Sequence, residues 1–283
     1  MSPTLTPTLA IRDLDVSIGD VPILKGVSFE VPPGQVMGLV GESGSGKSMT
    51  ALAVMGLLPP RSVVSGDIRL QDVAVPHAAD AAMRTVRGRE IGMIFQEPMT
   101  ALNPLMTIGD QVAETIRIHT KATHKAALAT AARMLERVGL PNAEFPLSRY
   151  PHELSGGQRQ RVAIAIAIAL TPKLLIADEP TTALDVTTQA QILALLKTLV
   201  REDGMGMILI THDLAVVAET ADRVAVMKAG EIVEQGEVGR MLTRRGADGM
   251  VHPYSRRLLA DATHAPVRRS KPRDGAPVLV VEG

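Results

Sequence analysis

The stretch Gly41-Glu42-Ser43-Gly44-Ser45-Gly46-Lys47-Ser48 fits the spacing G-x-x-x-x-G-K-[ST]. Glycines let successive backbone N–H groups converge on phosphate oxygens. Lys47 adds a mobile positive charge, and Ser48 offers a hydroxyl to Mg²⁺. A Gly/Ser turn with a surface lysine would use the same letters, so the setting decides. An apolar run, Val36-Met37-Gly38-Leu39-Val40, leads into the loop, and a helix-forming stretch follows whose N-terminal dipole would face the anion. Asp178-Glu179 ends a second apolar run, Leu174 to Ala177. There Asp178 can hold Mg²⁺, directly or through water. Glu179 is then left to polarise an attacking water. Gln96 ends Ile91-Gly92-Met93-Ile94-Phe95, and its neutral amide can reach Mg²⁺ or water and withdraw without leaving a buried charge. His212, after Ile208-Leu209-Ile210, stands where it could hydrogen-bond a γ-phosphate. Either residue alone would read as an ordinary surface or structural side chain. Leu154-Ser155-Gly156-Gly157-Gln158 opens a helix. Its small residues expose N–H groups to an anion, and Ser155 is also a natural N-cap; the two roles are compatible.

The elements that must position these groups alternate between strand and helix. Residues 9–16 and 21–31 read as strands, broken at Gly19-Asp20 and ended by Pro32-Pro33-Gly34. Val36–Val40 reads as a buried strand, Met49 to Leu58 as a helix ended by Pro59-Pro60, and Ser65 to Val75 as further strand. Residues 99–157 differ in character. Gln111–Ile118 and Lys125–Val138 are helical, with Leu128, Ala131, Leu135 and Val138 in one apolar stripe. Ala163 to Ile168 alternates strictly, which periodicity alone would make a strand. Its alanine content and the preceding Ser-Gly-Gly favour a helix start, and the resemblance that the motifs carry decides for a helix. Leu174–Ala177 is a strand, Thr187–Arg201 a helix with Ile192, Leu195, Leu196 and Leu199 inward, and Met207–Ile210 a strand. Strand, helix, strand in this order implies a parallel sheet with crossover helices. Residues 223–235 read as a hairpin turning at Ala229-Gly230. From Asp261 the chain is basic, Pro-containing and aperiodic, so residues 261–283 are expected to be a disordered tail.

Composition excludes several functions. The 283 residues carry 30 basic and 30 acidic side chains, which gives no electrostatic footprint for nucleic acid. Cysteine is absent, which removes disulfides, thiolate metal sites and a thiol nucleophile. A membrane span needs about 20 apolar residues. The longest apolar run, Val162 to Leu170, is far shorter. Met1-Ser2-Pro3-Thr4-Leu5-Thr6-Pro7 has neither the basic start nor the apolar stretch of a secretory signal. The expectation is a cytoplasmic location, with any spans supplied by a partner.

Taken together, these residues resemble the ATP-binding cassette (ABC) ATPases over residues 9–260. Gly41–Ser48 matches Walker A, Gln96 the Q-loop and Leu154–Gln158 the signature. Leu174–Glu179 matches Walker B with its catalytic glutamate, Ala183-Leu184-Asp185 the D-loop, and His212 the switch histidine. The resemblance implies an α/β P-loop NTPase with a RecA-like parallel sheet core, an antiparallel β subdomain and a helical subdomain at about 99–157. It implies ATP and Mg²⁺ as ligands and a head-to-tail pair of cassettes. The Ser155-Gly156-Gly157-Gln158 segment and Asp185 of one cassette would then serve the nucleotide of the other. Arg87 to Pro98 with Leu102-Asn103-Pro104, and His252-Pro253-Tyr254-Ser255 with Leu258-Leu259, resemble the oligopeptide/dipeptide/nickel importer branch. That branch implies a second, non-identical ATPase, two membrane permeases and a substrate-binding protein, with this subunit peripheral at the cytoplasmic face of the inner membrane.

Two features depart from the pattern. Ile18 stands before Gly19 where the family usually has an adenine-stacking aromatic, so an apolar adenine contact is expected. The cysteine cluster found after many peptide-branch cassettes is absent. Peptide and nickel cargo both remain open. A soluble ABC switch in DNA repair or translation is the reading from a different class, disfavoured by the balanced charge and by the lack of a second cassette, a long coiled coil or zinc modules.

Overall fold

A computed structural model describes residues 6–75, 80–96, 102–242, 249 and 251–263. Two sheets organise it. The first is antiparallel, with strands β1 (Leu9–Ile18), β2 (Val21–Val31), β4 (Ser62–Leu70) and β5 (Val73–Ala74) in the order β2-β1-β4-β5. The second contains β3 (Val36–Val40), β6 (Ile91–Ile94), β7 (Leu174–Asp178), β8 (Gly206–Thr211), β9 (Arg223–Lys228) and β10 (Glu231–Glu237), in the order β10-β9-β3-β8-β7-β6. Strands β9, β3, β8, β7 and β6 run parallel, and β10 pairs antiparallel with β9. Helix α1 (Lys47–Met55) follows β3, and α2 (Asp80–Val86) precedes β6. Helices α3 (Ile108–His119) and α4 (His124–Arg137) and a 3-10 turn (Pro151–Glu153) lie between β6 and α5 (Gly156–Ala167). Helix α6 (Val186–Asp203) joins β7 to β8. Three shorter helices follow: α7 (Leu214–Thr220), α8 (Val238–Met241) and α9 (Pro253–Thr263).

The parallel strands are apolar along their interiors, with polar residues confined to their ends, because both of their faces are covered. Successive side chains point to opposite faces, and here they feed two separate cores. Val36, Val40, Leu175, Ala177, Met207 and Leu209 enter one core together with α3 to α7. Met37, Leu39, Leu174, Ile176, Ile208 and Ile210 enter the other, under α1 and the antiparallel sheet. Both cores are therefore knitted through the same strands, which fixes the strand ends relative to the helices above and below.

Several boundaries differ from the sequence expectation. Helix α1 ends at Met55, three residues short of the expected Leu58, because Gly56 takes the left-handed conformation (φ 60°). Its N–H donates to the Ala53 carbonyl at 3.0 Å, and Leu57 N–H donates to Leu52 at 2.8 Å. This is a Schellman-type stop that needs no proline. The strand expected over 65–75 is two strands. Gln71 and Asp72 both take positive φ (48° and 66°) and close a two-residue turn of the mirror-image class without the usual glycine. The alternating Ala/Ile run is helical, as expected, and buries Ile164, Ala165 and Ala167. In α6, Leu195 is only half-buried, while Leu193 and Val200 are buried in addition to the expected set. Residues 261–263, assigned to the tail by composition, complete α9. Residues 264–283 of the expected tail, and residues 99–101 where the helical insert was placed to begin, lie outside the described residues.

Candidate functional site

The parallel order β3-β8-β7-β6 sets four chemically active termini side by side at the carboxyl ends of neighbouring strands, the usual place for a site in such sheets. Strand β3 delivers the loop Gly41–Ser48, β8 delivers His212, β7 delivers Asp178 and Glu179, and β6 delivers Phe95 and Gln96.

The loop is built around glycine. A Cβ on Gly41 would lie 2.3 Å from the Met227 carbonyl oxygen, and one on Gly46 (φ 108°) would lie 2.7 Å from Leu24. Side chains are thus excluded where the backbone is pressed against β9 and β2. Lys47 is buried, and its ammonium donates to the carbonyls of Gly41 at 2.8 Å and Glu42 at 2.9 Å. Burial lowers the Lys47 pKa, while the charges of Glu179 and Asp178 oppose that shift. The ammonium is held by carbonyls of the loop itself, and an anionic acceptor within its reach would bind it more strongly than either carbonyl.

Asp178 is buried at the end of β7, and burial pushes its carboxyl pKa up. A hydrogen bond from Ser48 and the charge of Lys47 work against that rise, and Glu179 adds to it. Its Oδ1 is buried without a hydrogen-bond partner. A buried acceptor lacking a partner is costly, and the carboxyl it belongs to lies near Ser48. A divalent ion is the group that such an oxygen pair fits. Among the described residues, no cluster of three or more His, Asp or Glu side chains could hold a metal by itself. Mg²⁺ at Ser48 and Asp178 would therefore need further oxygens from a phosphate ligand, which is how Mg²⁺ is commonly bound.

Glu179 has φ 45°, an uncommon conformation for a glutamate, fixed by its N–H donating to the Ile210 carbonyl at 2.9 Å. Its Oε2 accepts from Gln96 Nε2 at 3.1 Å and Thr182 Oγ1 at 3.1 Å; its Oε1 lies 3.1 Å from His212 Nδ1. Burial works to raise the carboxyl pKa, but the bonds from His212 and Thr182 and the charge of Lys47 outweigh it, leaving a net value below the ordinary one. The carboxylate is ionised and aimed, with 18% of its side chain still open to solvent.

Two placements differ from the simplest expectation. The Gln96 amide is engaged by Glu179 rather than by the Ser48–Asp178 pair. Thr182 was not singled out by sequence; its only signal is its position three residues after Glu179, across a tight turn.

The remaining candidates lie on a separate surface. Ser155 and Gln158 form a reciprocal cap: Ser155 Oγ accepts from Gln158 N–H at 3.3 Å, and Gln158 Oε1 accepts from Ser155 N–H at 2.9 Å. Gly156 faces Leu184, and Gly157 packs on the start of α6, where a Cβ would lie 2.5 Å from Thr188 Cγ2. Asp185 caps α6, accepting from Thr188 N–H at 3.0 Å and Thr188 Oγ1 at 2.7 Å. Among the described residues, no hydrogen bond or ion pair joins Ser155–Gln158 to Gly41–Ser48. The D-loop residues Ala183 and Leu184 do share one cleft with Glu179, Thr182 and His212. No helix among the described residues is long and apolar enough to cross a membrane.

Comparisons with known proteins bear on this arrangement. The sequence model of the ABC transporter family matches residues 24–182. A glutathione import ATP-binding protein, GsiA, of Salmonella choleraesuis (strain SC-B67) is 52% identical over 247 residues, covering 85% of this chain and 39% of the relative. GsiA of Escherichia coli O1:K1 / APEC is 49% identical over 263 residues, covering 89% of this chain and 41% of the relative. The chain thus spans about two fifths of the length of these relatives. Among solved structures, the dimeric post-hydrolysis state of the ATP-binding cassette MJ0796 bound to ADP and Pi has a TM-score of 0.70 at 29% identity, covering 81% of this chain and 98% of that one. CbiO1 of Clostridium perfringens, part of the ABC transporter complex CbiONQ, has a TM-score of 0.73 at 28% identity, covering 85% and 92%.

Proposed function

Because this chain belongs to the ABC transporter family, which it matches through residues 24–182, we propose that it is an ATP-hydrolysing subunit that energises an importer. The observation that carries the reading is the Glu179 carboxylate, held by Gln96, Thr182 and His212 beside a phosphate loop whose Ser48 lies near Asp178. ATP lays its triphosphate along Gly44–Ser48, whose N–H groups take the β- and γ-oxygens. Lys47 keeps its bond to the Gly41 carbonyl and gives up the Glu42 carbonyl for phosphate oxygens. Ser48 and Asp178, with Gln96 once it leaves Glu179, would hold Mg²⁺, which when bound would neutralise charge developing on the triphosphate. Glu179 orients a water and accepts its proton. The water oxygen bonds the γ-phosphorus, the bond from that phosphorus to the bridging oxygen breaks, and ADP and inorganic phosphate depart. His212 turns from Glu179 to bond the γ-phosphate.

Ser155, Gly156, Gly157, Gln158 and Asp185 serve the nucleotide of a second cassette, a non-identical homologue, which returns the same groups to this site. Two permeases anchor the pair at the cytoplasmic face of the inner membrane, and a binding protein delivers cargo. The named activity of the GsiA relatives, glutathione import, supports a peptide-class cargo. The test is co-purification with the neighbouring permeases and binding protein, followed by ATPase assays with peptide-loaded or nickel-loaded binding protein. Stimulation by peptides supports this reading, and stimulation by nickel alone replaces the cargo. Co-purification with ribosomes or DNA and no permease overturns the transport role.

A further inference from the structure

We propose that Tyr254 is a positioning residue for the nucleotide site, acting through the Gly41–Glu42 peptide on Lys47. Tyr254 lies in α9, is 7% exposed, and accepts the Glu42 N–H at its hydroxyl oxygen, 3.0 Å away. That N–H and the Gly41 carbonyl belong to one peptide unit, which is planar and rigid. The same Gly41 carbonyl accepts from the Lys47 ammonium at 2.8 Å. Holding the N–H toward Tyr254 therefore turns the carbonyl toward Lys47. Gly41 is the residue at which such a peptide could rotate most cheaply, since glycine has no Cβ to resist it. The tyrosine hydroxyl supplies the restraint that the loop's own sequence lacks.

The tyrosine is itself fixed from several directions. The Lys228 ammonium sits 5.1 Å from its ring centroid. Glu234 on β10 accepts the N–H groups of Val251 (2.6 Å) and His252 (3.3 Å), and His252 Nδ1 accepts the Tyr254 N–H at 3.1 Å. Leu258 and Leu259 pack against the larger core. The His-Pro-Tyr-Ser stretch is thus a strap that carries a hydroxyl to the back of the phosphate loop, 212 residues away in sequence.

The proposal rests on reading Gly41–Ser48 as the ATP site, and its test separates the two. Tyr254→Phe keeps the ring, its burial and the Lys228 contact, and removes only the acceptor. Mg-ATP affinity by titration and KM should weaken about three- to tenfold, the range expected for one hydrogen bond, with kcat within about twofold. The melting temperature of the nucleotide-free protein should fall by no more than a few degrees, the cost of one part-buried hydrogen bond. By reciprocity of coupling, Mg-ATP should slow amide exchange across Pro253–Thr263 in the parent and lose that effect in Tyr254→Phe. A parent that does not bind ATP sinks the ATP-site reading. A parent that binds ATP, paired with a variant of equal affinity and equal exchange protection, overturns the role of Tyr254 alone. A fall in melting temperature at unchanged KM would reduce Tyr254 to a packing residue and also overturn it.

Discussion

Replacing Glu179 by glutamine separates chemistry from binding, and the structure sets the size of each effect. The carboxylate takes two donors on Oε2, from Gln96 and Thr182, and one partner on Oε1, His212 Nδ1. An amide can keep its oxygen on the two-donor side and turn its NH₂ to His212, whose Nδ1 then becomes the acceptor by a change of tautomer. All three contacts survive in neutral form. Charge-assisted bonds are about twice as strong as neutral ones, so the loss of stability should be about 1–2 kcal/mol, a few degrees in melting temperature. The groups that would grip phosphate and metal, Lys47, Ser48 and Asp178, are untouched. Removing a negative charge beside the γ-phosphate should leave ATP affinity equal or tighter. What disappears is the proton acceptor, and general base catalysis is worth about 10²- to 10⁴-fold. Phosphate release should therefore fall by that factor, while gel filtration with labelled ATP shows nucleotide retained on a dimer that does not reset. Turnover within tenfold of the parent would place the base elsewhere. Loss of ATP binding would show that Glu179 belongs to the phosphate cradle.

Lys47→Ala should weaken ATP binding itself, by tenfold or more in equilibrium titration, because a buried charge-assisted contact is lost; unchanged affinity would count against the cradle. Asp178 carries its charge in a buried place that raises its pKa, so the ionised form costs folding stability above the ordinary carboxylate range. Asp178→Asn should therefore melt at the same or a higher temperature than the parent at pH 7 without nucleotide, with the gap closing as pH falls, and should lose Mg²⁺-dependent ATP binding. Glu179 has the opposite sign: its depressed pKa contributes stability above the ordinary glutamate value that is lost only as pH falls through the lower folded one, and His212→Ala should move that loss to higher pH in acid melts. With Ile18 in place of an adenine-stacking aromatic, GTP should compete with ATP within about tenfold; a strong preference for ATP would mean the base is held by other groups.

The sequence carries this site unevenly. The phosphate loop is legible because its glycines, lysine and serine are contiguous and each conformation is local. Asp178 and Glu179 are legible because an apolar run must stop where the strand leaves the core. The arrangement around Glu179 is not: Gln96 is 83 residues away and His212 is 33, and only the strand order β3-β8-β7-β6 brings them together. Thr182 is nearby in sequence but chemically ordinary, and its role depends on the positive φ of Glu179. Local chemistry also hid the stop at Gly56 behind the more conspicuous Pro59-Pro60, and the turn at Gln71-Asp72 behind residues that seldom take positive φ. The Tyr254 contact with the loop could be seen only once β10 and α9 were placed.

In the proposed cycle, this chain's ATP site is completed by the signature of another cassette. The most direct test is its specific ATPase activity as a function of dilution, with and without the second cassette, in the parent and in Ser155→Arg. Specific activity should fall on dilution and rise when the second cassette is added. Ser155→Arg should bind ATP normally while failing to activate a partner's site. A specific activity that stays constant across dilution, indifferent to the second cassette and to Ser155→Arg, would contradict it.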